Sequence, residues 1–276
     1  MPALLLGCDF SSAPSARKPI VLALGCAIPG GVKLQRLERF ASLDTWRVWL
    51  AGQAAWIGAF DFPFGLPREL VAHLGWPMEW RALICHYAGL DRALIRETFA
   101  AYCAARPAGG KFAHRATDAP AGSSPSMKWV NPPVAFMLHA GVPRLLQAGA
   151  ALPGLYAPCA AAERIALEGY PGLLARELLG RRSYKSDDAA FQTAARSEAR
   201  ADLLAALEGG ATRLGLRLVV NGTERNQLLA DARGDCIDAA LCLMQAAWGA
   251  ARRTSTGPGY GLPTTMDALE GWIVTA

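Results

Sequence analysis

The stretch Ala54-Ala55-Trp56-Ile57-Gly58-Ala59-Phe60-Asp61 is a short apolar run that stops at a carboxylate. The chain opens on the same plan, with Ala3-Leu4-Leu5-Leu6-Gly7-Cys8-Asp9. Runs of this length that lack alternation suit strands buried on both faces. Between them lie two more strand-like segments. Pro19 to Gly25 is apolar and is bounded by Pro14 and by Pro29-Gly30-Gly31. Val32 to Phe40 alternates, with Val32, Leu34, Leu37 and Phe40 apolar among charged residues and one imperfect step. That pattern predicts a half-exposed antiparallel strand. The short turns make the first three strands a meander. Ser42 to Leu50 then predicts a helix capped by Ser42 or Asp44, with Trp46, Trp49 and Leu50 at helical spacing. If the strands ending in Asp9 and Asp61 are parallel neighbours, both carboxylates emerge at the same edge of the sheet.

Residues 64 to 160 change character and become Ala-, Arg- and aromatic-rich, with helical spacing such as Leu83, Tyr87, Leu90, Leu94 and Ile95. Residues 106 to 130 within them are rich in Gly, Pro and Ser. They set four basic residues (Arg106, Lys111, Arg115, Lys128) against Asp118. The expectation is a helical insertion, 64–160, with one mobile basic loop, inside a single domain spanning 1–276. Downstream, Glu163 to Tyr170 returns to strand and is cut by Pro171. Leu173 to Leu179 and Asp188 to Leu207 read as helices, and Leu216 to Val220 as a short strand. Asp235 to Arg253 is a strongly apolar helix. The tail, 254–265, carries Gly257-x-Gly259-x-Gly261, which follows a helix where a phosphate loop follows a strand.

The 276 residues are 52% hydrophobic and 18% charged, which excludes a disordered chain. No apolar stretch reaches the ~18 residues of a membrane span. The N-terminus has no basic segment ahead of its short apolar run, so no signal peptide is expected. Seven cysteines, an odd number with no C-x-x-C pair, suit reduced thiols in a cytoplasmic protein. Without secretion, the Asn221-Gly222-Thr223 acceptor triplet carries no meaning. Twenty-eight Lys and Arg against 23 Asp and Glu leave a net charge of +5. That balance permits a polyanionic partner without demanding one.

The informative feature is a misfit. Five carboxylates, Asp9, Asp61, Glu168, Asp235 and Asp238, sit at the ends of, or inside, the most apolar segments. An unpartnered buried carboxylate costs several kcal/mol. Each has an ordinary reading taken singly. Asp9 and Asp61 could order the turns that follow them, Glu168 could be a solvated strand end, and Asp235 could be a helix N-cap with Asp238 at N3. Together they suggest more. Asp235 and Asp238 share a helix face, and no basic residue lies three or four positions beyond either. Their compensating charge must therefore come from elsewhere in the fold. Converging carboxylates repel one another unless a cation sits among them, and an all-oxygen set favours Mg²⁺ or Mn²⁺. Paired hard cations on shared carboxylates are the apparatus of phosphodiester hydrolysis.

The order of meander, helix, strand and C-terminal acidic helix resembles the ribonuclease H-like fold. More narrowly, the chain resembles the "domain of unknown function 429" family, regarded as predicted nucleases of that fold. The matching segments are Gly7-Cys8-Asp9-Phe10, Ile57 to Pro67 with its Asp-Phe-Pro-x-Gly-Leu-Pro core, Glu168-Gly169-Tyr170-Pro171 with Tyr184-Lys185-Ser186, and Gly234 to Ala240. The last also resembles the end of Holliday-junction resolvases of the RuvC type, whose fourth-strand Glu is Asp61 here. The resemblance implies a mixed α/β sheet and a nuclease acting on DNA or RNA. Asp9 would bridge two metals, Asp61 would hold one, and Asp235 and Asp238 would complete the set. Glu168 is a further catalytic candidate, and Lys185 would contact phosphate or transition-state charge. The basic loop would clamp nucleic acid. His114 and His139 could act as acid or base, although a lone histidine is more often a surface residue or a satisfied core one. The alternatives are an inactive scaffold on the same fold, and a nucleotide-binding phosphotransferase, which would need Gly-rich phosphate loops.

Overall fold

A computed structural model describes residues 4–158, 163–254 and 257–276. The three predicted front strands are β1 (Leu4–Asp9), β2 (Ile20–Ile28) and β3 (Gly31–Phe40), paired antiparallel as a meander. The imperfect step in β3 has a physical cause. Leu24 pairs with Arg36 and Gly25 with Leu34, so Gln35 is an extra residue in a β-bulge. A bulge resets the in/out parity of a strand, which is why Leu37 falls out of phase with Leu34. Ser42, not Asp44, caps α1 (Leu43–Gly52), its side chain accepting from the Thr45 N–H. Strand β4 (Trp56–Phe60) then lies parallel to β1.

The insertion is the crossover between β4 and its parallel neighbour β5 (Arg164–Glu168). It carries α2 (Arg68–His73), α3 (Trp80–Ala88), α4 (Arg92–Ala104), the single turn α5 (Asp118–Ala121) and α6 (Val134–Gln147). The run from Leu83 to Ile95 is two helices rather than one. The Asp91 carboxylate accepts from the Leu94 N–H and starts α4 there, leaving the Leu94 side chain exposed. The last two residues of the expected insertion, Cys159 and Ala160, lie outside the described residues.

After β5, Pro171 opens rather than blocks a helix, α7 (Pro171–Leu179), because a proline at the first turn forfeits no helical hydrogen bond. The helix expected over Asp188 to Leu207 is a 3-10 turn at Ala189–Phe191 followed by α8 (Ala194–Gly209). Strand β6 (Arg217–Val219) pairs parallel with β3. It is followed by α9 (Gly222–Ala230), capped by Asn221 of the acceptor triplet, and by α10 (Asp235–Ala250). The six-stranded mixed sheet has the order β5-β4-β1-β2-β3-β6. Alternate residues separate its two cores. Leu6, Cys8 and Phe60 face α1 and the insertion, whereas Leu5, Ala59 and Val21 face α7, α8 and α10. Helix α10 lies directly on β1. A Cβ at Gly7 would overlap the Ala239 carbonyl and the Leu243 backbone, so the spacing between helix and strand is a backbone-to-backbone contact.

No helix among the described residues is long and apolar enough to cross a membrane. Cys8, Cys26, Cys85, Cys103, Cys236 and Cys242 are free thiols.

Candidate functional site

The fold brings all five misfit carboxylates to one end of the sheet, and four of them form one group there. Asp9 closes β1. Asp61 directly follows β4 and extends its ladder, the Asp61 N–H donating to the Cys8 carbonyl at 2.9 Å. Asp235 and Asp238 lie in the first turn of α10, over the same strand ends. Gly234, with a left-handed φ of 79°, is the N-cap, so Asp235 is the first helical residue rather than the cap. The Asp231 carboxylate serves the helix start instead, accepting from the Cys236 N–H at 2.7 Å.

The charge compensation missing from α10 arrives from elsewhere in the chain. Lys185 and the Tyr184 hydroxyl both donate to the Asp238 carboxylate, which is fully buried. Gly234 makes room for this, since a Cβ there would lie 2.7 Å from the Lys185 Cβ. Lys18, on the turn before β2, pairs with Asp187 and stands 3.6 Å from Asp235. Burial works against the charge on Lys185, but Asp238 outweighs it and holds the ammonium well above its ordinary range.

Asp9 and Asp61 are different. Neither carboxylate accepts a hydrogen bond from any described residue. Burial first, then the charges of Asp238 and Asp235, push Asp9 well above the usual carboxylate range. Burial, then Asp238, lifts Asp61 to about 7. Burial also raises Asp235, partly offset by Lys18. Asp9, Asp61 and Asp235 therefore each feel the Asp238 carboxylate as a like charge in a poorly solvated place.

Glu168 does not join them. It ends β5 buried, and its two oxygens accept from Arg115 at 2.7 and 2.9 Å and from the Phe64 N–H at 2.9 Å. Arg115 is completed by Asp118, 3.0 Å away, and by the Glu270 carbonyl. Glu168 is thus half of a structural ion pair and not a free catalytic carboxylate. The same pair corrects the expectation for 106–130. Arg115 is internal, Arg106 pairs with Glu69, and the segment is anchored rather than a mobile basic clamp.

Asp-Phe-Pro-x-Gly-Leu-Pro, the most specific stretch of the sequence, proves to be a positioning device. Phe62 and Phe64 are buried, and Phe62 packs with Phe10, Trp46 and Phe60 at centroid distances of 4.5–6.5 Å. The Phe64 carbonyl accepts from Trp80. A Cβ at Gly65 would overlap the Leu269 carbonyl, so the C-terminal tail passes hard against this loop. These contacts fix where Asp61 leaves β4.

His139 is bonded to the Leu90 carbonyl at 2.9 Å, and His114 is exposed; neither lies in the site. The Gly257, Gly259 and Gly261 turn packs back on Trp248 near the far end of α10. At ~1.5 Å per residue that is roughly 15–20 Å from the acidic turn.

Among the described residues, no group of three or more His, Cys, Asp or Glu side chains is drawn close enough together to hold a metal ion. The four carboxylates share one end of the sheet without forming a ready ligand set, and Lys185 engages Asp238. The donor chemistry nonetheless fits a hard divalent cation. The set is all oxygen, and Asp9 and Asp61 are unpartnered and raised by their neighbours. Sequence reasoning missed Lys18, which lies in a polar turn with no local signal, and gave no role to Tyr184, although it stands in the quoted Tyr184-Lys185-Ser186 segment.

Three recesses adjoin the acidic end. One of about 390 Å³ is lined by Arg17, Arg39, Arg233 and Asp235. One of about 320 Å³ is lined by Arg176, Arg182, Tyr184, Lys185 and Asp61. The third, about 210 Å³, lies between Asp61 and the insertion. The first two set arginines around the carboxylates, so an anion could approach from either side.

Comparison with protein-family models, with curated proteins and with solved structures gave no match.

Proposed function

We propose that this chain is a divalent-cation-dependent phosphodiester hydrolase of ribonuclease H-like type, acting on DNA or RNA. The observation that carries the reading is the pair of unpartnered carboxylates, Asp9 and Asp61, on adjacent parallel strands beneath the acidic turn of α10. The strand arrangement supports it. An antiparallel meander whose first strand is continued by two parallel strands, with an acidic helix laid over that first strand, is the plan the family resemblance implies. Asp9, Asp61, Asp235 and Asp238 would hold Mg²⁺ or Mn²⁺, which when bound supplies charge neutralisation and an activated water. The chain's own residues do the rest. Asp9 and Asp61 present their carboxylates at the strand ends as the fixed ligands of the site. Lys185 stands beside it as a cation that faces an incoming phosphate. Arg17, Arg39 and Arg233 on one side, and Arg176 and Arg182 on the other, draw in the flanking phosphates.

The test pairs binding with turnover. Mn²⁺ should raise the melting temperature of the wild type and not that of Asp9→Asn. Wild type should cleave members of a panel of structured and single-stranded DNA and RNA that Asp9→Asn leaves intact. Equal background from both proteins on every substrate sinks the proposal. The bond from Lys185 to Asp238 favours a second reading, a binding scaffold in which lysine has taken the place of the metal. That reading predicts no stabilisation by Mn²⁺ and retained nucleic-acid binding.

A further inference from the structure

The recess between Asp61 and the insertion differs from the two arginine-lined ones. Its walls are apolar, formed by Pro63, Val134, Met137, Tyr170 and Ile273 with the polar Ser124 among them. Arg115 and Glu168 also line it, but both are engaged, Glu168 by Arg115 and Arg115 by Glu168 and Asp118. The charges free to meet a ligand therefore stand at its mouth, on Asp61 and Lys185, and not along its apolar walls. Asp61 and Lys185 belong both to this recess and to the neighbouring arginine-lined one, so it opens onto the candidate centre. A ligand matched to this surface has a neutral, largely apolar body and an anionic group directed at Lys185.

We infer that this recess receives an unpaired nucleobase of the nucleotide next to the phosphate held at the Asp9–Asp61 end, so that the preferred substrate is single-stranded or locally unpaired. The inference rests on the phosphodiester reading. A base is neutral and flat, carries its own phosphate, and reaches a side pocket only when it is out of the stack. Apolar and aromatic walls stabilise such a base regardless of its identity, while hydroxyls such as that of Ser124 meet its polar edge. Duplex DNA or RNA keeps its bases paired and cannot fill the recess without unstacking. The insertion thereby acquires a role distinct from clamping: Val134 and Met137 on α6 form one wall of a selectivity pocket.

The test uses fluorescein-labelled oligonucleotides in calcium buffer, read by anisotropy, with deoxy and ribo versions as separate arms. Intact single strands should bind at least about tenfold more tightly than strands carrying abasic positions, and than the matching duplex, in line with the worth of one stacked base. Met137→Trp, which fills the recess, should erase that difference while leaving the melting temperature unchanged. Ser124→Phe serves if Met137→Trp does not fold. Equal binding of abasic and intact strands, unchanged base dependence in a folded pocket variant, or no binding of any strand overturns the inference. Base-dependent binding without cleavage of any substrate defeats the hydrolase reading and leaves the pocket standing. Cleavage that ignores both the bases and the Met137→Trp change does the reverse.

Discussion

Asp61→Asn is expected to stabilise the folded chain at pH 8. Burial and the charge of Asp238 raise Asp61 from its ordinary 3.8 to about 7. At 1.36 kcal/mol per pH unit, keeping Asp61 ionised in the folded state costs up to about 4 kcal/mol. The sign follows from proton affinity. The folded chain binds this proton more tightly than the unfolded chain, so wild-type stability is lost as pH climbs from about 4 to about 7 and is flat above. Asparagine keeps the shape of the side chain and drops the charge. The advantage of the variant should therefore be near zero at about pH 4, grow through that window and level off beyond it. Urea denaturation followed by tryptophan fluorescence, for which the chain has eight reporters, gives the difference at each pH. Adding Mn²⁺ at pH 8 should stabilise the wild type and narrow the gap. A difference independent of pH, or a variant less stable than wild type at pH 8, would refute the like-charge picture of the site.

Four further substitutions probe how the site is built. Arg115→Met leaves Glu168 and Asp118 buried without their cation and should cost about 3–5 kcal/mol at neutral pH. Adding Glu168→Gln should recover part of this loss, and urea midpoints of the single and double variants measure both. Gly7→Ala drives a methyl into the backbone of α10 and should cost about 3 kcal/mol, read as a fall in melting temperature; a neutral result would show that helix and strand are not in contact. Gly234→Ala places a side chain at positive φ against the Lys185 stem, for a loss of roughly 1–2 kcal/mol. Because Lys185 must then move, the Mn²⁺-induced shift in melting temperature should change as well. A variant with wild-type values for both would contradict the contact.

The front of the sheet was legible because its signals are local. The carboxylate-terminated runs of β1 and β4, the alternation of β3 and the cap at Ser42 each need only neighbouring residues to be read. Even the flaw in β3 was visible, as a lost beat between Leu34 and Leu37, though only the pairing identified Gln35 as the bulged residue. Asp9, Asp61, Asp235 and Asp238 were recognisable as misfits for the same reason. Glu168 looked identical to them in sequence. What separates it is Arg115, 53 residues earlier in a segment that reads as a polar loop, and no periodicity predicts such a pairing. The roles of Lys18 and Tyr184 escaped notice in the same way, since the groups they meet, Asp187 and Asp235 for Lys18 and Asp238 for Tyr184, lie far away in the chain. Helix α9 was passed over because its sequence, Gly-Thr-Glu-Arg-Asn-Gln-Leu-Leu-Ala, is polar along most of its length and shows little apolar face to detect.

The tie between Arg115 and Glu168 bears on how far this chain can be shortened. The β4–β5 crossover supplies the cation for a carboxylate at the end of β5, and Glu270 of the C-terminal tail holds the same crossover through the Arg68 and Ala116 N–H groups, each at 2.8 Å. Crossover, strand end and tail thus form a keystone rather than an ornament. A minimal domain made by excising 64–160 would strand Glu168 as a naked interior charge, and would need that residue replaced before it could fold. Tolerance to changes of length belongs instead to the exposed turn at 107–111, which is held by Arg106 through the Gly110 carbonyl and reaches neither strand end nor tail.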